Sequence, residues 1–310
     1  MSNKIYPIGI QNFEKIRRDG YFYVDKTALV YQLAKSGSYY FLSRPRRFGK
    51  SLLLSTLEAY FEGKKELFAG LAIEQLEKDW ARYPILHLDL NTQEYNSVDS
   101  LKEKLNIALT GWEKECGAEP AEKSLATRFE GIIKRTSRKM EQRVVILIDE
   151  YDKPMLQAIG RPELQEAYRS LLKSFYGALK SADGYIRFAM LTGVTKFSKV
   201  SVFSDLNNLE DISFRRNYNE LCGISEQELQ DSLGDELPEF SRSLGLTESE
   251  LCDKLRRHYD GYHFAPDTAG VYNPFSLLHA FKNREFGSYW FATGTPSYLV
   301  ELLKRHHYDL

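Results

Sequence analysis

Arg44-Pro45-Arg46-Arg47-Phe48-Gly49-Lys50-Ser51 decides the fold, because Gly-Lys-Ser stands where the apolar run Tyr39-Tyr40-Phe41-Leu42 gives way to Leu52-Leu53-Leu54. The pattern predicts a strand, a tight loop and the start of a helix running to Gly63. Backbone N–H groups at such a helix start point at a phosphate, a lysine there reaches the β and γ oxygens, and a following serine holds Mg²⁺. The expected phosphate contacts are therefore Arg46, Arg47, Phe48, Gly49, Lys50, Ser51 and Leu52. The match to G-x-x-x-x-G-K-S/T departs at one position. Arg44 replaces the first glycine and Pro45 stiffens the next step, so the loop must turn without that glycine's freedom at positive φ. Arg46 and Arg47 read either as phosphate contacts or as partners of Asp25 or Glu150 in an ion pair that rigidifies the loop.

A second motif lies about a hundred residues downstream. Arg143-Val144-Val145-Ile146-Leu147-Ile148-Asp149-Glu150 is an uninterrupted aliphatic run ending in two carboxylates, as in a parallel strand buried on both faces. This is a Walker B pattern, in which Asp149 joins Ser51 around Mg²⁺ and Glu150 orients and deprotonates water. The separation leaves room for a strand at Tyr83-Pro84-Ile85-Leu86-His87-Leu88-Asp89-Leu90. Tyr185 to Gly193 reads as a further buried strand. Thr192 at its end is the expected polar sensor of phosphate or water, with Lys196 and Lys199 behind it; the alternative is a turn cap before Gly193.

Taken in order, Tyr6-Pro7-Ile8-Gly9, Phe13 to Arg17, Tyr23-Val24-Asp25-Lys26-Thr27, the Arg44–Ser51 loop, Asp149-Glu150-Tyr151-Asp152-Lys153-Pro154, Leu191 to Ser198 and Tyr259-Asp260-Gly261-Tyr262 resemble the bacterial AAA-ATPase-like family from about residue 5 to 290. The resemblance implies an α/β P-loop NTPase three-layer sandwich with a parallel sheet, of the ASCE or AAA-like kind, binding ATP and Mg²⁺. It implies switch-like behaviour by kinship with signalling ATPases of the STAND type. Family members commonly carry a C-terminal PD-(D/E)XK nuclease-like domain. No acid-acid-x-Lys strand pattern precedes Leu310, so the expectation is the ATPase portion alone, with nucleic acid a partner only through such a domain.

Around these motifs, Asp25 is the expected cap of a helix over Ala28, Leu29, Tyr31 and Leu33; by resemblance to related ATPases, Phe13, Tyr23 or Val24 line a base pocket, the alternative being that they are core. Helices are expected near 98–116 and 121–140, from Pro154, and over 162–180; strand and helix alternation of this kind predicts a parallel sheet. A fifth short strand falls within Val202 to Ser213. Arg215 and Arg216 follow it, where an edge arginine meets charge developing on its own γ-phosphate or that of a neighbour in a homo-oligomer; the alternative is a surface charge or a partner for an acid. The predicted units are an ATPase domain over 1–220 and a smaller helical domain of winged-helix character over 221–310. The second starts with a Ser225–Glu228 capping box and carries helices at 226–233, 237–244, 247–259 and from Pro274, with a hairpin across 262–264 and 271–272.

Composition narrows the class. With 310 residues and 43% hydrophobic content the chain can bury substantial cores, and a net charge of −1 gives no global pull toward nucleic acid. No run approaches the roughly 18 apolar residues of a membrane span, and the polar N-terminus lacks a signal core, so cytoplasmic placement is expected. Cys116, Cys222 and Cys252 lack metal or disulfide spacing. Two functions remain open: an ATP-hydrolysing switch, since Lys50, Ser51, Asp149 and Glu150 are all present, or a nucleotide-dependent binding module with negligible hydrolysis, favoured by the altered Arg44 position.

Overall fold

The computed structural model describes residues 4–195 and 208–290. Five parallel strands form one sheet in the order β2-β3-β4-β1-β5: β1 Tyr39–Ser43, β2 Ile85–Asp89, β3 Val144–Asp149, β4 Ile186–Gly193 and β5 Glu210–Asp211. β4 stands in space between the two motif strands, and the Tyr83–Leu90 run supplies the edge strand β2. The short β5 falls within the expected stretch and covers the other side of β1.

The helices are α1 Phe13–Arg18, α2 Thr27–Ser36, α3 Lys50–Phe61, α4 Ala72–Leu76, α5 Val98–Cys116, α6 Leu125–Met140, α7 Lys153–Gln157, α8 Pro162–Ser181, α9 Glu226–Leu233, α10 Leu237–Ser243, α11 Glu248–Tyr259 and α12 Pro274–Asn283. Alternation along the strands sorts them into layers. Val144, Ile146 and Ile148 of β3 join a core with α5, α6 and α8, while Val145 and Leu147 join a second core with α1, α2 and α3. Burial on both faces is why β3 reads as a continuous aliphatic run. A third core, built by α9 to α12, also takes in Tyr6, Phe22 and Val24, so the N-terminal segment packs against the C-terminal helices. Lys26 and Glu228 pair across the same seam.

Local signals hold where their partners are near in sequence. The Ser225–Glu228 capping box forms as expected. Elsewhere three expectations are corrected. Asp25 is not the cap residue of α2: that position is Lys26, and Asp25 accepts from the backbone N–H of Thr27 at 2.8 Å and of Ala72 at 2.7 Å, tying the starts of α2 and α4 together. α6 starts at Leu125 rather than 121, because Ser124 and Thr127 cap each other reciprocally. The hairpin reduces to single antiparallel bridges, Tyr262 with Val271 and Ile224 with Tyr272. Among the described residues no helix is long and apolar enough to cross a membrane.

Gly193 closes β4 where there is no room for a side chain. A Cβ there would lie 2.5 Å from Tyr151 Cε1 and 2.7 Å from Asp152 Oδ1. Gly193→Ala should cost about 1–3 kcal/mol, the usual price of overpacking a core. Chemical denaturation reads this directly, and a variant as stable as the parent would mean that the Tyr151 ring yields without strain.

Candidate functional site

The site lies at the C-terminal ends of β1, β3 and β4, where open parallel sheets gather ligands. The loop between β1 and α3 turns at Arg47 (φ 69°) and at Gly49 (φ 91°), which is the N-cap of α3. Gly49 takes this left-handed geometry without penalty, whereas Arg47 is strained in it. Arg44 needs no positive φ. It is 1% exposed, its backbone N–H donates to Gly193 O at 3.1 Å, and its guanidinium donates to the carbonyls of Ser43 (3.0 Å), Ser213 (2.6 Å) and Tyr218 (3.0 Å). The same guanidinium lies 3.9 Å from the centre of the Phe264 ring. Burial pulls its pKa down to about 10, so it remains charged at neutral pH.

Lys50 is also buried, and its ammonium donates to the loop's own carbonyls, Arg44 O at 3.1 Å and Pro45 O at 3.2 Å. Opposite it, Asp149 Oδ1 accepts from Thr192 Oγ1 at 2.5 Å and from the Glu150 N–H at 3.0 Å. Thr192 is wholly buried, so its hydroxyl fixes the orientation of Asp149. Glu150 sits at φ 53°, a strained conformation for a non-glycine residue. Burial raises its carboxyl above the ordinary range, Lys50 and Arg46 work against the shift, and Asp149 and Asp152 add to it. Asp152 accepts from the Val194 and Thr195 N–H groups at 2.9 and 2.7 Å and from Thr195 Oγ1 at 2.8 Å, which anchors the chain leaving β4.

Two cavities meet over this loop. One, of about 340 Å³, is polar and is walled by Arg46, Arg47, Lys50, Ser51, Asn91, Glu150 and Lys153 together with Gly9 to Gln11. Its cations outnumber the single acid, Glu150. Among the described residues none of Arg46, Arg47, Lys50 or Lys153 is in an ion pair; Arg47 lies 4.4 Å from the centre of the Phe275 ring. The neighbouring cavity is apolar, with Phe22, Tyr23, Val24, Phe48 and Ile224 in its wall.

Most of the predicted residues come together here. Ser51 and Leu52 line the polar cavity, and Tyr23 and Val24 line the apolar one. Phe13 does not: it is core, packed on Phe68 and Tyr23. Phe48 is 1% exposed and meets Tyr262 and Phe264 edge to face. No ion pair joins Arg46 or Arg47 to Asp25, which is engaged with Thr27 and Ala72. Arg215 pairs with Glu210 at 3.2 Å and Arg216 with Asp267 at 3.3 Å; both are exposed, and neither lines the polar cavity. Lys196 and Lys199 lie outside the described residues. Sequence reasoning missed Asn91 and Lys153 as cavity residues, as well as Phe275 and Trp290, whose indole N–H donates to Arg46 O at 3.0 Å. The one available signal was the position of Lys153 three residues after Glu150.

Among the described residues no group of three or more His, Cys, Asp or Glu side chains could hold a metal. The donor set Ser51 and Asp149 nonetheless suits Mg²⁺, which keeps most of its shell as water and phosphate oxygen and takes only one or two protein ligands. Among the described residues the hydrogen bonds to Asp149 fall on Oδ1, which leaves Oδ2 for a cation.

A five-stranded parallel sheet with the β1–α3 loop facing the ends of β3 and β4 is the architecture of a P-loop NTPase-like α/β sandwich. The chain belongs to the family described as predicted AAA-ATPase, whose model matches residues 7–203. It is 44% identical over 305 residues to a protein of Azotobacter chroococcum mcd 1 described as "Uncharacterized protein in vnfD 5'region". That match covers 98% of this chain and 57% of the relative, so the chain spans little more than half the relative's length.

The raised carboxyl of Glu150 has a thermodynamic signature. A carboxyl whose folded pKa lies above its unfolded value destabilises the fold above that pKa, and the cost disappears as pH falls through it. Glu150→Gln should therefore melt higher than the parent at pH 8, with the gap closing toward acid pH. Thermal melts from pH 5 to 8 check this; a variant that melts lower at pH 8 would show that the Glu150 charge is well paired.

Proposed function

We propose that the chain binds ATP with Mg²⁺ in the polar cavity and hydrolyses it as a molecular switch. The observation that carries this reading is the cluster of Arg46, Arg47, Lys50 and Lys153, cations with no ion-pair partner among the described residues, around one raised carboxyl. Cations left unpaired in a cleft over a helix start are suited to a polyanion. The base would enter the apolar cavity between Tyr23, Val24 and Ile224.

On this reading Lys50 exchanges two neutral carbonyls for the β and γ oxygens, a stronger, charge-assisted bond. The N–H groups at the start of α3 complete the Walker A cradle. Ser51 and Asp149 would hold Mg²⁺, which would supply positive charge to offset that of the phosphates. Thr192 acts through Asp149, keeping its carboxylate turned toward the metal position. Glu150, one residue beyond the Walker B aspartate, is the base. Its raised carboxyl brings it nearer the working pH, where general bases are most effective.

The second reading, a nucleotide-dependent binding module with negligible hydrolysis, draws on the contacts of Trp290 with Arg46 O and of Phe264 and Phe275 with Arg44 and Arg47. Through them the loop is gripped by the C-terminal helices and their connections, the grip a switch uses to report what is bound.

Lys50→Ala should abolish ATP binding by calorimetry. Glu150→Gln should keep binding and lose about 10²–10⁴-fold in turnover, the range for removal of a general base. Parent-like binding by the first variant would refute the phosphate site. Parent turnover near zero with tight nucleotide retention would select the second reading.

A further inference from the structure

We propose that Lys153, steadied by Asn91, is the residue by which this site distinguishes a nucleoside triphosphate from a diphosphate, an inference that rests on the nucleotide-binding reading above. The two cavities share Pro7, Gly49, Leu52, Pro274 and Leu278, so they form one track. Its apolar end is walled by Phe22, Tyr23 and Val24, its middle by the loop and the start of α3, and its polar part adds Asn91, Glu150 and Lys153, which are absent from the apolar cavity. A base at the apolar end and α and β phosphates over the loop leave the terminal phosphate facing Glu150 and Lys153.

The chemistry of Lys153 suits that position. Its ammonium donates to the neutral amide Asn91 Oδ1 at 2.8 Å, and among the described residues no acid pairs with it. Other lysines of the chain contrast with this: Lys26 pairs with Glu228, Lys35 with Glu77 and Lys64 with Glu14. Glu150, the acid in the same cavity, is offset by Lys50 and Arg46. Both members of the Lys153–Asn91 pair are held by backbone. The Lys153 N–H donates to Glu150 O at 2.9 Å, placing Lys153 one turn beyond the base, and the Asn91 N–H donates to Asp89 Oδ1 at 2.7 Å at the end of β2. An ammonium held by an amide keeps its full charge for an incoming oxyanion, and its fixed stem lowers the entropy lost when it binds. A diphosphate stops short of it and gains nothing.

Calorimetry on the full chain with Mg²⁺, using ADP and the non-hydrolysable analogue AMP-PNP, tests the assignment. Lys153→Met should weaken AMP-PNP by about 10–100-fold, the worth of one hydrogen bond to a charged group, and leave ADP unchanged. Lys153→Arg should retain most of the preference, and Asn91→Ala should lose a smaller part of it. Equal weakening of both nucleotides by Lys153→Met, or weakening of neither, overturns the role of Lys153 while leaving the site intact. Failure of the parent to bind either nucleotide, or parent-like binding by Lys50→Ala, overturns the site itself and this inference with it.

Discussion

A guanidinium buried among backbone carbonyls holds the loop in place. Arg44 brings a full charge to a position with 1% exposure and meets it with three carbonyl oxygens and the face of Phe264. A buried charge is costly unless its donors are used, and here Nη1 and Nη2 are, while Nε has no hydrogen-bond partner among the described residues. Everything around it is thereby fixed. The carbonyls come from β1's last residue and from the turn after β5, the ring comes from beyond α11, and the Arg44 backbone bonds both Gly193 and Lys50. Because removing one partner of a buried charge is expensive, these segments hold one arrangement together.

The acidic end of the site is braced in a comparable way from the residues after it. Tyr151 donates its N–H to Thr192 O at 3.0 Å and its hydroxyl to Thr195 O at 2.8 Å, while Asp152 gathers the next two N–H groups. The ring of Tyr151 and the carboxyl of Asp152 fill the space over Gly193, and the bareness of that glycine is the counterpart of their presence. Glu150 can therefore line the cavity, with Asp149 buried behind it, while the residues that follow carry the structure.

What was legible in the sequence follows the range of each interaction. β3, α5, α9 and the cap of α9 are local matters of periodicity and three-residue spacing, and they stand where expected. Gly49, Lys50 and Ser51 were legible because the strand-to-helix turn that presents them is local too. Arg44 looked like a defect, since a glycine pattern says what a backbone needs and nothing about a guanidinium whose partners lie some 170 residues on. Ser124 and Thr127 form a capping box without the usual acid, so the start of α6 was read too early. Phe275 and Trp290 touch the loop from the far end of the described chain, and only tertiary structure brings them there.

The seam between these distant parts reaches past the end of the family match. The family model's match stops at residue 203, yet Ile212, Tyr218, Leu221, Cys222, Phe264 and Val271 belong to the same core as α1, α2 and α3. β5, which covers the outer side of β1, also lies past that point. A fragment cut at 203 would turn β1 into an open edge, with unpaired N–H and C=O groups inviting another strand. It would also strand the Arg44 charge without Ser213 and Tyr218. The boundary of the family match and the boundary of what can fold alone are thus different places on this chain, and any dissection of it has to respect the second.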